Sequence, residues 1–410
     1  MTITPLEAVR TSVPEPATIS AEELEQRPHA VFRHHRPLAP LIRRQDGVYI
    51  ALRASDVERL ATDPRTRQLE TELATARGVV DGPLFDFFNN SMLLSNGPPH
   101  RKRRAPFARA FAVRLIDELR PRIRATANEL IDRCYEQGEM NFIDDFAALI
   151  PARVISEILG LPATDIPEFT RRIYSLARSL SSSFTPEDVP ELQTSARELS
   201  RYVGGLLEAR RREPRDDFLT SCIGAIDAAN ELSNVETVMQ VITVILGGSD
   251  TTRGAGAIQT SLLLQHREQW DAICQDPSLI PGAVLESMRY EPAVGSFARF
   301  TLEDIDLDGW IVPRNRALSL STLSAMRDPQ LYADPDRFDI RRNDHPRRHM
   351  IFGAGSHRCL GEALAKAELE EQLVALTTRL PQLQLVGDPP IVRGNGGIRS
   401  VRNMRVRWDR

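Results

Sequence analysis

Only four cysteines occur in 410 residues, and Cys134, Cys222, Cys274 and Cys359 stand far apart. No two have the spacing of a zinc site or of a disulfide framework, so each is read on its own. Long apolar runs are also missing. The most apolar stretch, Val241 to Leu246, falls well short of the roughly 20 residues that a membrane-spanning helix needs. The segment Met1 to Pro37, with Pro14, Pro16, Glu22, Glu23 and Glu25, has no basic start followed by an apolar core. No secretory leader is expected, and the reading is a cytoplasmic protein with no membrane association. Positive charge is not in surplus either: the net charge of -4 gives no global reason to bind nucleic acid, whose backbone requires a basic surface. With no internal repeat, no Gly/Ser linker and 28 scattered prolines, one continuous domain over residues 1–410 is expected.

What is present is an ordinary globular composition, 41% hydrophobic and 26% charged, enough to bury a core. Helical spacing dominates. Leu115, Leu119, Ile123, Leu130, Ile131 and Cys134 recur on one face, with a kink expected at Pro121. Strand signals are short: Gly47 to Leu52, and Phe297 to Leu320 with turn residues Asp308 and Gly309. The fold class is mainly α with small β-sheets. Ser233 and Glu236 form a capping box that opens a helix running to about Leu264. At about 1.5 Å per residue it would be roughly 45 to 50 Å long, enough to cross the molecule. Its middle nevertheless holds Gly247, Gly248, Ser249, Asp250, Thr251 and Thr252, where each glycine costs on the order of 1 kcal/mol against alanine. A local rule broken in mid-element marks a functional position.

Phe352, Gly353, Ala354, Gly355, Ser356, His357, Arg358, Cys359, Leu360 and Gly361 precede a strongly helical stretch, Glu362 to Leu380. Cys359 thus falls at a helix N-terminus, where the dipole and free N–H groups favour an anionic sulfur and are expected to lower its pKa. Gly353, Gly355 and Gly361 let the backbone approach a flat, bulky group and aim amides at the sulfur. A lone cysteine is ordinarily a small buried hydrophobe. That reading suits Cys134, Cys222 and Cys274, whereas the glycine spacing F-x-x-G-x-x-x-C-x-G reverses it for Cys359. A catalytic cysteine with His357 as its base is disfavoured, because residues two apart at a loop-to-helix junction seldom face one another.

This segment resembles the haem-binding signature of the cytochrome P450 superfamily, and through His357, Leu364 and Ala365 its soluble bacterial branch. The resemblance covers nearly the whole chain and implies that fold, with the long central helix over the haem. Glu286 and Arg289 match its E-x-x-R pair, followed by Pro292. Arg337 before Phe338 matches the third member of that structural charge cluster. The cofactor implied is haem b, iron protoporphyrin IX, with Cys359 as the iron ligand and Phe352, Gly353 and Gly361 lining the loop beneath it.

Haem propionates need cationic or hydrogen-bonding partners inside a protein. His100 and Arg104 match the family's H-x-x-x-R, and Arg299 and His357 its other propionate partners. Gly247, Gly248, Asp250 and Thr251 match the oxygen-activation motif, with Gly247 leaving room for dioxygen, the Thr251 hydroxyl hydrogen-bonding it, and Asp250 relaying protons. The plain alternative is a kink made by Gly, Ser and Thr.

The resemblance therefore implies a monooxygenase that inserts one oxygen atom from O2 into a small hydrophobic organic substrate, by hydroxylation or O-dealkylation. Electrons would come from NAD(P)H through a ferredoxin reductase and a ferredoxin, and the protein would be a monomer. The alternatives are a peroxide-driven peroxygenase or nitric oxide reductase on the same fold, or a haem sensor without turnover; the acid–alcohol pair argues against all of these. Arg341, Arg342, Arg347, Arg348 and Arg358, with Arg101, Lys102 and Arg103, are expected to form a basic docking face for an acidic ferredoxin. By family position Phe85, Phe87, Phe88, Met92, Leu246, Gly247 and Ala293 to Phe297 line the substrate site. Met326, Asn315 and Lys366 depart from the usual bacterial pattern, and Asn315 keeps its turn because asparagine tolerates positive φ.

Overall fold

The computed structural model describes residues 14–110, 113–181 and 184–409. The first thirteen residues of the segment read for a leader, and the side chain of Leu115, lie outside the described residues. Among the described residues no helix is long and apolar enough to cross a membrane.

The architecture is helical with small sheets. The capping box forms as expected: Ser233 Oγ accepts from the Glu236 amide at 3.1 Å, and Glu236 Oε2 accepts from the Ser233 amide at 3.0 Å. It opens a 32-residue central helix, Asn234–Gln265, about 48 Å long at 1.5 Å per residue. Its hydrophobic residues are buried nearly all round, as expected of a helix enclosed by others. Gly248 has a packing reason to be there. A Cβ at that position would lie 2.5 Å from Ile155 Cδ1, so the glycine leaves room for the Ile155 side chain of the neighbouring helix Leu149–Ile158, which any larger residue would have to displace. The helix Val113–Cys134 continues through Pro121.

The main sheet has spatial order Thr18–Ile19, Leu41–Arg44, Tyr49–Ala51, Ala317–Ser321, Ser296–Thr301 and Thr66–Arg67. Tyr49–Ala51 pairs in parallel with Ala317–Ser321, which in turn pairs antiparallel with Ser296–Thr301, setting Arg299 opposite Leu318. The hairpin of Ile305–Leu307 and Trp310–Val312 turns at Asp308 (φ 53) and Gly309 (φ 85), the two positive-φ positions that a two-residue hairpin favours. Asn315 also sits at positive φ, 60, as its turn requires.

Glu286 and Arg289, on the helix Ile280–Tyr290, form a fully buried bidentate pair at 2.7 and 2.8 Å. The remaining Arg289 N–H groups donate to the carbonyls of Met326, Pro335 and Arg337 at 2.8 to 3.0 Å. The third member of the cluster differs from expectation. The Arg337 side chain is 68% exposed and 3.7 Å from Asp339, and only its carbonyl takes part. Arg342 supplies the second guanidinium instead, 6% exposed with Nε 3.3 Å from Glu286 Oε2. The Asp339 amide donates to Glu286 Oε1 at 2.8 Å, and the Arg342 amide to the Asp339 carbonyl at 3.1 Å. That turn brings residue 342 inward and leaves residue 337 outside.

A second buried carboxyl is unpaired. Glu368, on the helix Glu362–Arg379, has no exposed surface, and neither of its oxygens has a hydrogen-bond partner. One turn on, Gln372 is also buried and unpartnered, filling the space beside Gly256 of the central helix. Burial pushes the Glu368 carboxyl well above the usual range, so the folded state holds a proton that the unfolded chain releases. Below the ordinary carboxyl pKa both states are protonated and no penalty exists. As pH rises past that value only the unfolded chain ionises, and stability falls by about 1.4 kcal/mol per pH unit until the folded group also titrates. Glu368→Gln should therefore flatten the loss of stability as pH rises above the ordinary carboxyl range in denaturant titrations. An unchanged slope would mean that another group carries it.

Candidate active site

Cys359 lies between the short turn Gly355–His357 and the helix Glu362–Arg379. Its amide donates to the Phe352 carbonyl at 2.8 Å, closing the loop on itself. Gly353 at its neck has φ 70, a left-handed value that favours glycine. The Gly361 amide hydrogen-bonds the sulfur, one of the backbone contacts expected of this loop. The expected lowering of the thiol pKa is not found. Burial pushes it up, and this outweighs the Gly361 amide, Arg104 and Arg358, which pull it down against Glu362. A helix terminus gives a fraction of a charge, too little to offset desolvation; a bound metal ion would deprotonate the thiol outright. Cys359 keeps accessible surface even though protein encloses it, which is the situation of a side chain open to an internal void.

The four residues expected around the propionates do converge. The rings of His100 and His357 stack with centroids 4.0 Å apart, and His357 feels the charges of Arg299 and Arg104 as well as His100. His100 and Arg104 come from the helix Gly97–Ala110 and Arg299 from the strand Ser296–Thr301. Arg104 donates to the Arg358 carbonyl beside the cysteine. Arg299 is buried and bonds only neutral acceptors: Gln68 Oε1 at 2.7 Å, the Ala61 carbonyl at 3.0 Å and the Ala298 carbonyl at 3.1 Å.

Burial depresses all four groups. Arg299 falls to about 10, His100 to about 4 and His357 to about 3, the histidines being lowered further by their cationic neighbours, while Arg104 falls despite the attraction of Cys359. Among the described residues none of the four forms a salt bridge with a carboxylate, and His100 Nε2 is buried without a hydrogen-bond partner. The histidines, so depressed, are neutral near pH 7, and the two guanidinium groups left without a counter-charge are unfavourable unless a ligand brings the anions. A haem, with two propionates, fits this donor set, and a sulfur opening onto the same region fits its iron.

On the central helix, Gly247 is exposed among buried neighbours, and a Cβ there would meet nothing within 4 Å. Thr251, one turn on, donates its hydroxyl to the Gly247 carbonyl at 3.0 Å. Asp250 is buried and salt-bridged to Arg253, whose guanidinium also lies 4.4 Å from the Tyr174 ring centre. Burial outweighs Arg253 and raises the Asp250 pKa.

Several expectations need correction. Arg342 belongs to the Glu286 cluster, and Arg103 is buried, bonding Glu236 Oε1 at 3.0 and 3.1 Å. Lys102 pairs with Glu236 at 3.0 Å and Arg358 with Glu362 at 2.5 Å. Of the proposed docking face, Arg101, Arg341, Arg347 and Arg348 remain exposed. Phe87, Phe88, Leu246 and Ala293 are core residues at 0 to 2% exposure, the two phenylalanines packing edge to face. Phe85, Gly247 and Phe297 keep open surface, as does Leu93 at 41%, which no sequence pattern marked.

The model of the family described as "Cytochrome P450" matches residues 191–382. Cytochrome P450-pinF1, plant-inducible, of Rhizobium radiobacter is 44% identical over 96% of this chain and 93% of its own length. The 6-deoxyerythronolide B hydroxylase of Saccharopolyspora erythraea is 31% identical over 97% of this chain and its whole length. Among solved structures, the myxobacterial cytochrome P450 CYP267B1 in complex with myristic acid superposes with a TM-score of 0.86 at 33% identity, covering 95% of this chain and 98% of that one. Likeness that runs the length of both partners, at 44% identity in one case, means that this chain belongs to the cytochrome P450 family and is a haem-dependent monooxygenase.

Proposed function

We propose that the chain, as one domain over residues 1–410, holds haem b through Cys359 and inserts one oxygen atom from O2 into a small hydrophobic organic molecule. Electrons reach it from NAD(P)H by way of a ferredoxin reductase and a ferredoxin. The observation that carries this reading is the pair of guanidinium groups without a carboxylate partner, with two neutral imidazoles beside them and an open cysteine next to the set: His100, Arg104, Arg299 and His357 would hold the propionates, and Cys359 the iron. When bound, the haem supplies the redox chemistry, and its thiolate ligand favours O–O cleavage. Phe352, Gly353 and Gly361 shape the loop below.

On the opposite side, Gly247 leaves the room that dioxygen requires. Thr251 holds a hydroxyl at that opening, already oriented by the Gly247 carbonyl. Asp250 can carry a proton to it because its buried carboxyl is raised toward neutrality, and its bond to Arg253 is the contact that must loosen for the acid to turn inward. This pair favours O2 over a peroxide-driven reaction or a sensor, neither of which needs it. Open apolar surface at Phe85, Leu93 and Phe297 supports a hydrophobic substrate, and the exposed Arg101, Arg341, Arg347 and Arg348 support an acidic electron donor.

A strongly red-shifted Soret band in the carbon monoxide difference spectrum of the reduced protein is the first test; a histidine-like position would remove the assignment of Cys359. With a substrate in hand, Asp250→Asn should slow product formation by about 100-fold. Thr251→Ala should go on consuming NADH while releasing peroxide. Full coupling in the Thr251 variant would remove the role given to that hydroxyl.

A further inference from the structure

The loop that joins the helix Gly82–Asn90 to the helix Gly97–Ala110 is held by a side chain that no family motif explains. Gln240 is wholly buried on the central helix. Its Oε1 accepts from the Met92 amide at 2.6 Å, and its Nε2 donates to the Asn90 carbonyl at 2.7 Å. A third bond, from Nε2 to the Glu236 carbonyl at 2.6 Å, fixes the amide on its own helix. One glutamine thus bonds a donor and an acceptor on the backbone of a segment about 150 residues away, much as a neighbouring strand would.

Arg103 holds the end of the helix that leads into this loop. Its Nη1 donates to the Asn89 carbonyl at 3.1 Å while Nε and Nη2 grip Glu236. Gln240 and Gly247 are seven residues apart, close to two helical turns, so they share a face with a separation of about 10 Å. Downstream, the pinned segment passes through Met92–Leu94 into the helix bearing His100 and Arg104.

We propose that Gln240 is a positioning residue: by fixing Asn90 and Met92 against the central helix it sets the height of the roof above the Gly247 face, and so the size of the molecule that can stand there. The proposal rests on the assignment of the Gly247 face to oxygen and substrate. Met92 and Leu93 follow directly from the clamped groups; the first is buried and the second left open. The neighbouring Phe87 and Phe88 are locked in the core, and the far end of the loop is tied down at Asn96 by Gln68 and Glu70, so the Gln240 bonds govern the stretch between, at Asn90 to Met92.

Gln240→Met fills the same space and removes both loop bonds. Two measurements on the haem-loaded protein follow, after its carbon monoxide spectrum has shown that the cysteine loop is intact. Hydrogen exchange at the Met92 amide should rise by about 100-fold, as for a backbone group released to local opening. The Ser91 amide, bonded to the Phe87 carbonyl at 3.1 Å, should not change. The ratio of the dissociation constants of 4-phenylimidazole and imidazole, read from the Soret shift, should move by about tenfold, the scale on which a pocket senses small changes in ligand size. Gln240→Glu keeps an acceptor for Met92 whether or not the buried carboxyl carries a proton, so its Met92 amide should exchange within about threefold of the parent rate.

Unchanged exchange at Met92 in the methionine variant would overturn the clamp itself. Faster exchange with an azole ratio within about twofold of the parent would show a clamp that does not govern the roof, overturning the proposal while leaving the haem site untouched. If the methionine variant fails to load haem, the glutamate variant decides: exchange at Met92 as fast as in an unfolded chain would remove Gln240 as its acceptor.

Discussion

Arg289→Ala should cost about 3 to 5 kcal/mol, because it leaves the Glu286 carboxylate charged and wholly buried with its principal partner gone. The loss is large for structural reasons. Arg289 makes five hydrogen bonds, two to Glu286 and three to the carbonyls of Met326, Pro335 and Arg337. Those carbonyls belong to the long segment that leads to the cysteine loop, so haem content should fall together with stability. Two companion variants sharpen the result. Arg337→Ala, which removes a 68% exposed side chain, should stay within about 0.5 kcal/mol of the parent. Arg342→Ala should be costly, since its guanidinium reaches Glu286 from 3.3 Å. Denaturant midpoints with haem absorbance as a second probe would check all three. A harmless Arg342→Ala beside a damaging Arg337→Ala would restore the arrangement expected from the sequence pattern.

Cys359→Ser should abolish the thiolate-type carbon monoxide spectrum and reduce oxygenation by more than about 100-fold, since even outer-shell partners of a metal ligand are commonly worth 10- to 100-fold. A serine hydroxyl is nearly the same size, and the loop around it is set by the Cys359 amide bond to Phe352 and by the positive φ of Gly353. The fold should therefore survive, which circular dichroism and the melting temperature would verify. Oxygenation retained in this variant would mean that the iron is held elsewhere.

Much of this arrangement was legible in the sequence where local chemistry settles the outcome. Ser233 and Glu236 announce the central helix because a capping box is complete within four residues. Asp308, Gly309 and Asn315 announce their turns because few residues accept positive φ. The cysteine loop and the two histidines and two arginines of the cradle stand in a recognisable order. Other features depend on packing. Whether Arg337 or Arg342 reaches Glu286 depends on a turn at Asp339 that is itself bonded to Glu286, a circular dependence that no window of sequence contains. Arg103 and Arg342 looked like members of a basic surface, and each is sequestered by a glutamate far away in the chain. Phe87 and Phe88 looked like substrate contacts and are core, while Leu93 and Gln240 carried no signal at all. The direction of the Cys359 shift was misjudged for a related reason: the helix terminus is visible in the sequence, but the depth of burial is not.

The buried cations without a counter-ion bear on how the chain comes to be made. Before its cofactor arrives, Arg299 and Arg104 are two guanidinium charges without a carboxylate partner, set beside two histidines that burial keeps neutral. Whatever stability the propionates restore is lent by mass action, growing by about 1.4 kcal/mol for every tenfold rise in free haem above its dissociation constant. In a cell the supply of iron and porphyrin would then act as a quality-control signal: chains that outrun it remain loose enough for proteases, and only the loaded fraction accumulates.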